Sequence, residues 1–209
     1  MNSNTLNEQI RKKTAEYFKT VVKGKYVMDF GGGTGADLRW LSENNYEVCF
    51  CEPANAMRNI AIEHNASNIK SESIEFLMDT KTDFRAWEIA TFYEKFDAVL
   101  ANFCVFNIID DLQLLFSKLS MSLKPKGHII ALLLDATFTG ITKHYLKNFI
   151  ISFLKNSYPS LIVQYSGNRH TVYLHTPGKI KQSLPKELTC IKIESLGDSG
   201  FMLVHIQKQ

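Results

Sequence analysis

The 209-residue sequence has no run of about 20 apolar residues, so no membrane span is expected. It has no apolar run behind its first residues, which argues against a secretory leader. A dominant charge is missing as well. The formal net charge is +3, too small to argue for a nucleic-acid surface, and the basic residues are scattered, with Arg11-Lys12-Lys13 the densest run. Such a run reads as a solvated face. The four cysteines, Cys49, Cys51, Cys104 and Cys190, form no C-x-x-C pair, and no His/Cys spacing suggests a metal site. Cys49 and Cys51 share one side of a strand, and buried, reduced thiols in a cytoplasmic protein are expected. There is no internal repeat, linker or low-complexity segment. What is present is ordinary for a globular chain: 45% apolar and 22% charged residues, enough for one domain over residues 1–209.

The organising stretch is Tyr26-Val27-Met28-Asp29-Phe30-Gly31-Gly32-Gly33-Thr34-Gly35-Ala36-Asp37-Leu38. It reads as an apolar strand breaking into a glycine turn that opens a helix. Glycine permits positive φ and close approach of a ligand to the main chain, and the helix start offers free N–H groups. Gly31-x-Gly33-x-x-Ala36 matches a dinucleotide fingerprint, so the glycines alone are ambiguous, and no Gly-Lys-Ser/Thr follows to make a phosphate loop. Asp29 decides between these. A carboxylate before the turn would repel a pyrophosphate and suits a ligand bearing a cation or hydroxyls. Glu52 ends the next strand, where a ribose diol would lie. A turn residue for Asp29 and a solvated strand end for Glu52 are the plainer alternatives.

Periodicity predicts a helix over about 5–22, strands at about 25–30, 47–51, 74–77, 96–101 and 128–134, and intervening helices, with Lys124-Pro125-Lys126-Gly127 as a turn. Five β–α units argue a parallel sheet with right-handed crossovers. The tail departs from this rhythm. A helix is expected over about 139–156, then a hairpin of Leu161–Tyr165 and Thr171–His175 around Ser166-Gly167-Asn168-Arg169, a short helix after Thr176-Pro177, and a closing hairpin after Cys190.

Asp29-x-Gly31-x-Gly33-x-Gly35 followed by Glu52 resembles the first two motifs of the class I S-adenosylmethionine-dependent methyltransferases. Phe96-Asp97-Ala98-Val99-Leu100-Ala101-Asn102-Phe103 is similar to that family's fourth-strand motif, and Leu119 to Ile130, through Leu123-Lys124-Pro125-Lys126-Gly127, to its fifth. The resemblance covers about 25–134. It implies an α/β, Rossmann-like, seven-stranded, mostly parallel sheet with an antiparallel C-terminal strand, helices on both faces and a small helix/hairpin lid. It also implies S-adenosylmethionine as cofactor and a cytoplasmic enzyme acting on a small molecule, as a monomer or homodimer, with no nucleic-acid, membrane or metal partner. Residues 1–22 would form a cap helix, 25–134 the cofactor-binding core, 136–185 a substrate-covering insertion and 188–209 the closing hairpin.

Carried over by motif, Gly31, Gly33 and Gly35 would approach the methionine half of the cofactor, with Asp29 near its amino end. Glu52 would hold the ribose, and Pro53 would pack on the adenine. Asp79, or its rival Asp83, would bind the adenine amino group. Asn102 and Phe103 would line the floor below the methyl group. Asn107-Ile108 stands where many small-molecule members have Asn-His, which removes one base. A base is needed only for a protonated nucleophile. The tail offers His144, Tyr145, His170, Tyr173 and His175, among which His144, Tyr173 and His175 are carried forward as catalytic candidates. There is no Asn-Pro-Pro-Tyr-type run for DNA bases and no basic, aromatic-rich appendage for RNA. The alternatives are an aminopropyltransferase-like enzyme, a nicotinamide dehydrogenase, or a non-catalytic cofactor-binding subunit.

Overall fold

Alternation along five short apolar runs builds the sheet. In the computed structural model, which describes residues 3–65, 73–165 and 168–209, strands β1 (Tyr26–Phe30), β2 (Glu47–Cys51), β3 (Ile74–Phe76), β4 (Phe96–Ala101) and β5 (Leu123–Leu134) lie parallel. β6 (Ser160–Tyr165) and β7 (Asn168–Tyr173) pair with each other as a separate antiparallel hairpin. β8 (Leu188–Ser195) and β9 (Phe201–Lys208) close the main sheet, with β9 inserted antiparallel between β5 and β8. The order is β3-β2-β1-β4-β5-β9-β8. It reverses between β1 and β4, so the ends of these strands open a crevice, the usual ligand position in such sheets.

Side chains of successive residues point to opposite faces, giving two apolar layers. Val27, Val48, Phe50, Ala98, Leu100 and Ile130 pack under helices α1 (Ser3–Val21), α2 (Leu38–Glu43) and α3 (Asn55–Asn65), which contribute Phe18, Leu38, Leu41 and Ala61. Met28, Cys49, Val99 and Ile129 pack on the other face with Phe92 of α4 (Ile89–Phe92) and with α5 (Leu112–Ser122), whose Leu115, Phe116 and Leu119 are fully buried.

Three local expectations are corrected. The Lys124–Gly127 turn is an irregularity inside β5: Leu123 already pairs with Phe96, and the register shifts before Ala98 pairs with His128. Pro125 cannot donate to a ladder, so the strand bulges around it and Lys126 takes φ 66°. The helix expected over about 139–156 is broken into α6 (Phe138–Gly140), a π turn (Ile141–Tyr145) and α7 (Leu146–Leu154). The π turn inserts one residue of register, and Tyr145 and Phe149 both reach the core. The second hairpin strand ends at Tyr173 rather than His175: Leu174 N–H still bonds Pro159 O (2.8 Å) in the register of the Ser160–Tyr173 pair, but Pro159 has no N–H to return the bond. Ser166 and Gly167 of the expected hairpin turn lie outside the described residues. Helix α8 (Pro177–Gln182) follows, its Thr176 cap accepting the Lys179 N–H.

Candidate active site

The C-terminal ends of β1, β2 and β4 line a cavity of about 840 Å³. β1 passes directly into the glycine turn. Gly31 and Gly33 take φ +70° and +59°, a region costly for residues with a Cβ. A Cβ on Gly31 would stand 2.4 Å from Val105 Cγ1, whereas one on Gly33 would meet nothing within 4 Å. Glu52, 6% exposed, spans the turn and the start of α3: Oε2 accepts Gly33 N–H (2.9 Å) and Oε1 accepts Ala54 N–H (2.8 Å).

Asp29 is 1% exposed, and its Oδ2 has no partner among the described residues. Burial holds its carboxyl well above the ordinary range. The neighbouring carboxylates of Asp37 and Glu52 push it the same way, and Arg11 opposes them. Asp37 pairs with Arg11, which reaches down from α1, and accepts Trp40 Nε1–H (2.7 Å). Across the cavity Asn102 is buried with neither amide atom partnered among the described residues. The chain then flips: Phe103 and Cys104 take φ 52° and 67° in succession. Two consecutive left-handed residues that are not glycine mark a strained turn at the crevice floor. Phe103 lies under the Arg11 guanidinium (4.5 Å) and meets the Phe201 ring edge-on.

The lining also has apolar and basic side chains. Val105, Ile108 and Ile109 line the cavity from the segment after β4, joined by Phe84, Arg85 and, from β7, His170. The hairpin carrying His170 is fastened at its root. Buried Asn107 donates Nδ2–H to Tyr173 O (2.7 Å), and its Oδ1 accepts Leu134 N–H (3.0 Å). His175, also buried, has Nε2 at 3.0 Å from both Phe106 O and Ile109 O, and Nδ1 at 2.8 Å from Tyr158 Oη. Nε2 therefore carries a proton shared by two carbonyls, and Nδ1 accepts from the tyrosine. Burial lowers the His175 pKa, consistent with this neutral form.

Asp29, Gly31, Gly33, Glu52, Pro53, Asn102 and Phe103 all line the cavity; Gly35 and Asp79 do not. Gly35 instead meets α3, where a Cβ would stand 2.8 Å from Asn65 Nδ2 and 3.0 Å from the Ala61 Cβ. Asp79 is exposed on a 3₁₀ turn (Asp79–Thr82), and Asp83 occupies the cavity position. Among the proton-acceptor candidates, His144 is exposed on the π turn, Tyr173 packs on Tyr158 and His175, and His175 is a buried tie. None of these lines the cavity, and neither does Tyr145, whereas His170 does. Arg11 and Asp37 carry no role in the sequence reading. The signal for Arg11 was its place one residue after buried Ile10, at the edge of the inner stripe of α1.

A buried acid with a free oxygen, next to an open glycine turn, suits a ligand that carries positive charge and hydrogen-bond donors. With the antiparallel β9 completing the sheet, fold and site define an S-adenosylmethionine-dependent methyltransferase of the class I, Rossmann-like type. The family model described as "Methyltransferase domain" matches residues 3–176, and the chain belongs to that family. No curated protein matches the sequence. Among solved structures, a SAM-dependent methyltransferase from Methanosarcina mazei is 13% identical, with TM-score 0.72 over 92% of this chain and 96% of that one. An S-adenosylmethionine-dependent methyltransferase from Mesorhizobium loti is 15% identical, with TM-score 0.66 over 94% and 96%. The Burkholderia thailandensis 1,6-didemethyltoxoflavin-N1-methyltransferase, solved with 1,6-didemethyltoxoflavin and S-adenosylhomocysteine, is 13% identical, with TM-score 0.64 over 95% and 78%.

The residues present fit the methyl donor. The unpartnered Asp29 Oδ2 and Asn102 amide offer hydrogen-bonding groups that no described side chain satisfies, and the acids around the turn suit a cation. Among the described residues no group of His, Cys, Asp and Glu could hold a metal ion. No helix of the described residues is long and apolar enough to cross a membrane.

Proposed function

We propose that the enzyme methylates a compact, largely apolar small molecule at an O, N or C nucleophile. The observation that carries this is the mixed lining of one cavity, in which acids and an open glycine turn stand together with the apolar Phe103, Val105, Ile108 and Ile109. Its volume lies in the upper part of the range for small-ligand pockets, roughly 300–1,000 Å³, which suits a donor and a compact acceptor side by side.

S-adenosylmethionine supplies a methyl group on a sulfonium, already a good leaving group. The protein's part is alignment and exclusion of water. On this reading Asp29, Gly31, Gly33, Glu52, Pro53 and Asp83 hold the donor. Asn102 and Phe103 form the floor beneath the methyl group. Residues 136–185, with α1, cover the acceptor. His170 is the side chain positioned to take a proton from an acceptor that arrives protonated.

The test is to supply methyl-labelled S-adenosylmethionine to the enzyme with the low-mass fraction, the protein fraction and the nucleic-acid fraction of a cell extract. Label is expected in the low-mass fraction; label in protein or nucleic acid instead refutes the reading. Release of S-adenosylhomocysteine separates a transferase from a non-catalytic binder. His170→Asn is expected to lower kcat while leaving donor affinity within about twofold, as expected of a lost proton acceptor.

A further inference from the structure

The surface of the insertion is not accounted for by the cavity it covers. Helix α7 is apolar on both faces. Phe149 and Ser152 turn inward. Leu146, Ile150, Phe153 and Leu154, spaced i, i+4, i+7 and i+8, form an outward stripe with exposures of 50, 51, 85 and 77%. A helix apolar all round is normally covered on all sides, and this one is covered on one. Phe138 on α6 and Ile162 on the adjoining β6 extend the exposed apolar surface, at 84% and 72%. Scattered exposed apolar residues are ordinary, but a contiguous set marks an interaction surface.

Charge identifies what the surface fits. Residues 136–186 hold seven of the chain's 24 Lys and Arg and none of its 21 Asp and Glu. The basic residues are spread along the chain, and what sets this stretch apart is its lack of acids; Lys143 pairs with Asp198 from outside it, and the rest of the chain is net acidic. Lys147 and Lys155 flank the apolar stripe, both exposed and without an ion pair among the described residues. A symmetric contact between two copies would set this cationic surface against itself, which disfavours a homodimer here. Nucleic acid would answer the lysines but leave the Leu/Ile stripe without a partner. An anionic bilayer surface answers both: acyl chains take the apolar stripe and headgroups take the lysines.

We infer that α6, α7 and β6 dock the enzyme peripherally on an anionic phospholipid surface. This stands apart from the acceptor's identity and from the donor site. Docking sets the insertion, whose β7 carries His170 over the cavity, against the interface.

The experiment is co-sedimentation of the full chain with phosphatidylcholine vesicles prepared with and without phosphatidylglycerol. Binding is expected with phosphatidylglycerol, weak without it, and falling as salt rises. Phe153→Glu with Leu154→Glu should lower the partition coefficient by at least about tenfold. Calorimetric affinity for S-adenosylmethionine should stay unchanged, which shows the variant is folded. Absence of sedimentation with phosphatidylglycerol vesicles overturns the inference. So does binding that the double variant retains, a homodimer in sedimentation velocity that the variant dissociates, or RNA bound in preference to vesicles.

Discussion

Replacing Asp29 by Asn tests the donor site most directly, because binding and stability should move in opposite directions. In the free protein the Asp29 carboxyl is buried, has an unpartnered oxygen, and faces Asp37 and Glu52 with Arg11 as the opposing charge. Its charged form is therefore destabilising. An uncompensated buried polar group costs about 1–3 kcal/mol, so Asp29→Asn should stabilise the free protein at neutral pH by about 1–2 kcal/mol, or roughly 2–8 °C in Tm for a chain of this size. A raised carboxyl pKa leaves the native state holding a proton that the unfolded state has lost. Wild-type stability should thus fall as pH rises from the ordinary carboxylate range to the raised value, and the variant should lack that slope. The cost appears on binding. Losing a hydrogen bond to a charged group removes about 1.5–3 kcal/mol, or about 10- to 150-fold in Kd for S-adenosylmethionine. Calorimetry for affinity and thermal unfolding across pH provide both readings. A variant that is less stable when free, or that binds the donor as tightly as wild type, refutes the assignment of Asp29 as a donor ligand held ready at a cost to the fold.

Other predictions separate roles within the site. Gly33→Ala adds a methyl that meets no protein atom, so it should cost roughly 1 kcal/mol of stability from its backbone conformation yet severely weaken donor binding, whereas Gly31→Ala should damage the fold itself against Val105; calorimetry and denaturant unfolding of both distinguish these. Asn107→Ala strands Tyr173 O and Leu134 N–H and should cost about 2–4 kcal/mol in chemical denaturation, with acceptor KM rising more than donor Kd. His205 on β9, bonded to Tyr17 of α1 and to His128, has its pKa drawn down to about 4 by burial, then by His128 and Lys192. Its neutral form stabilises the fold above the ordinary histidine pKa, and that stability is lost as pH falls toward 4, at most about 1.4 kcal/mol per unit. His205→Gln should flatten this acid limb in denaturation curves taken across pH.

The grouping of Asp29, Gly31, Gly33 and Glu52 at one cavity was legible because these residues are close in sequence. Asp29 and the glycines share one strand-turn, and Glu52 ends the next strand, so one parallel pairing brings them together. The rest of the cavity's surroundings depend on contacts between distant segments, which hydrophobic spacing does not encode. Arg11 gains its role from Asp37, 26 residues away. His175 stacks on Tyr173 as the alternation predicts, but it lies beyond the strand's end, buried on two main-chain carbonyls as a fastener and away from the cavity. Asp79 lies exposed on a 3₁₀ turn, and its rival Asp83 lines the cavity four residues later. The parallel sheet followed from repeated β–α units, while the bulge at Pro125 and the π turn did not, since both answer to packing by remote partners.

The fastened hairpin also bears on how such an enzyme diversifies. Asn107 and His175 fix the root of the β6–β7 ribbon through main-chain carbonyls and an amide, groups that every amino acid supplies. Side chains nearer the ribbon's tip can change without disturbing that anchorage or the strand ends that line the cavity. If the proposed assignment of acceptor and donor holds, mutation can sample new acceptors on a module whose failure leaves the sheet intact, and selection can act on the two separately.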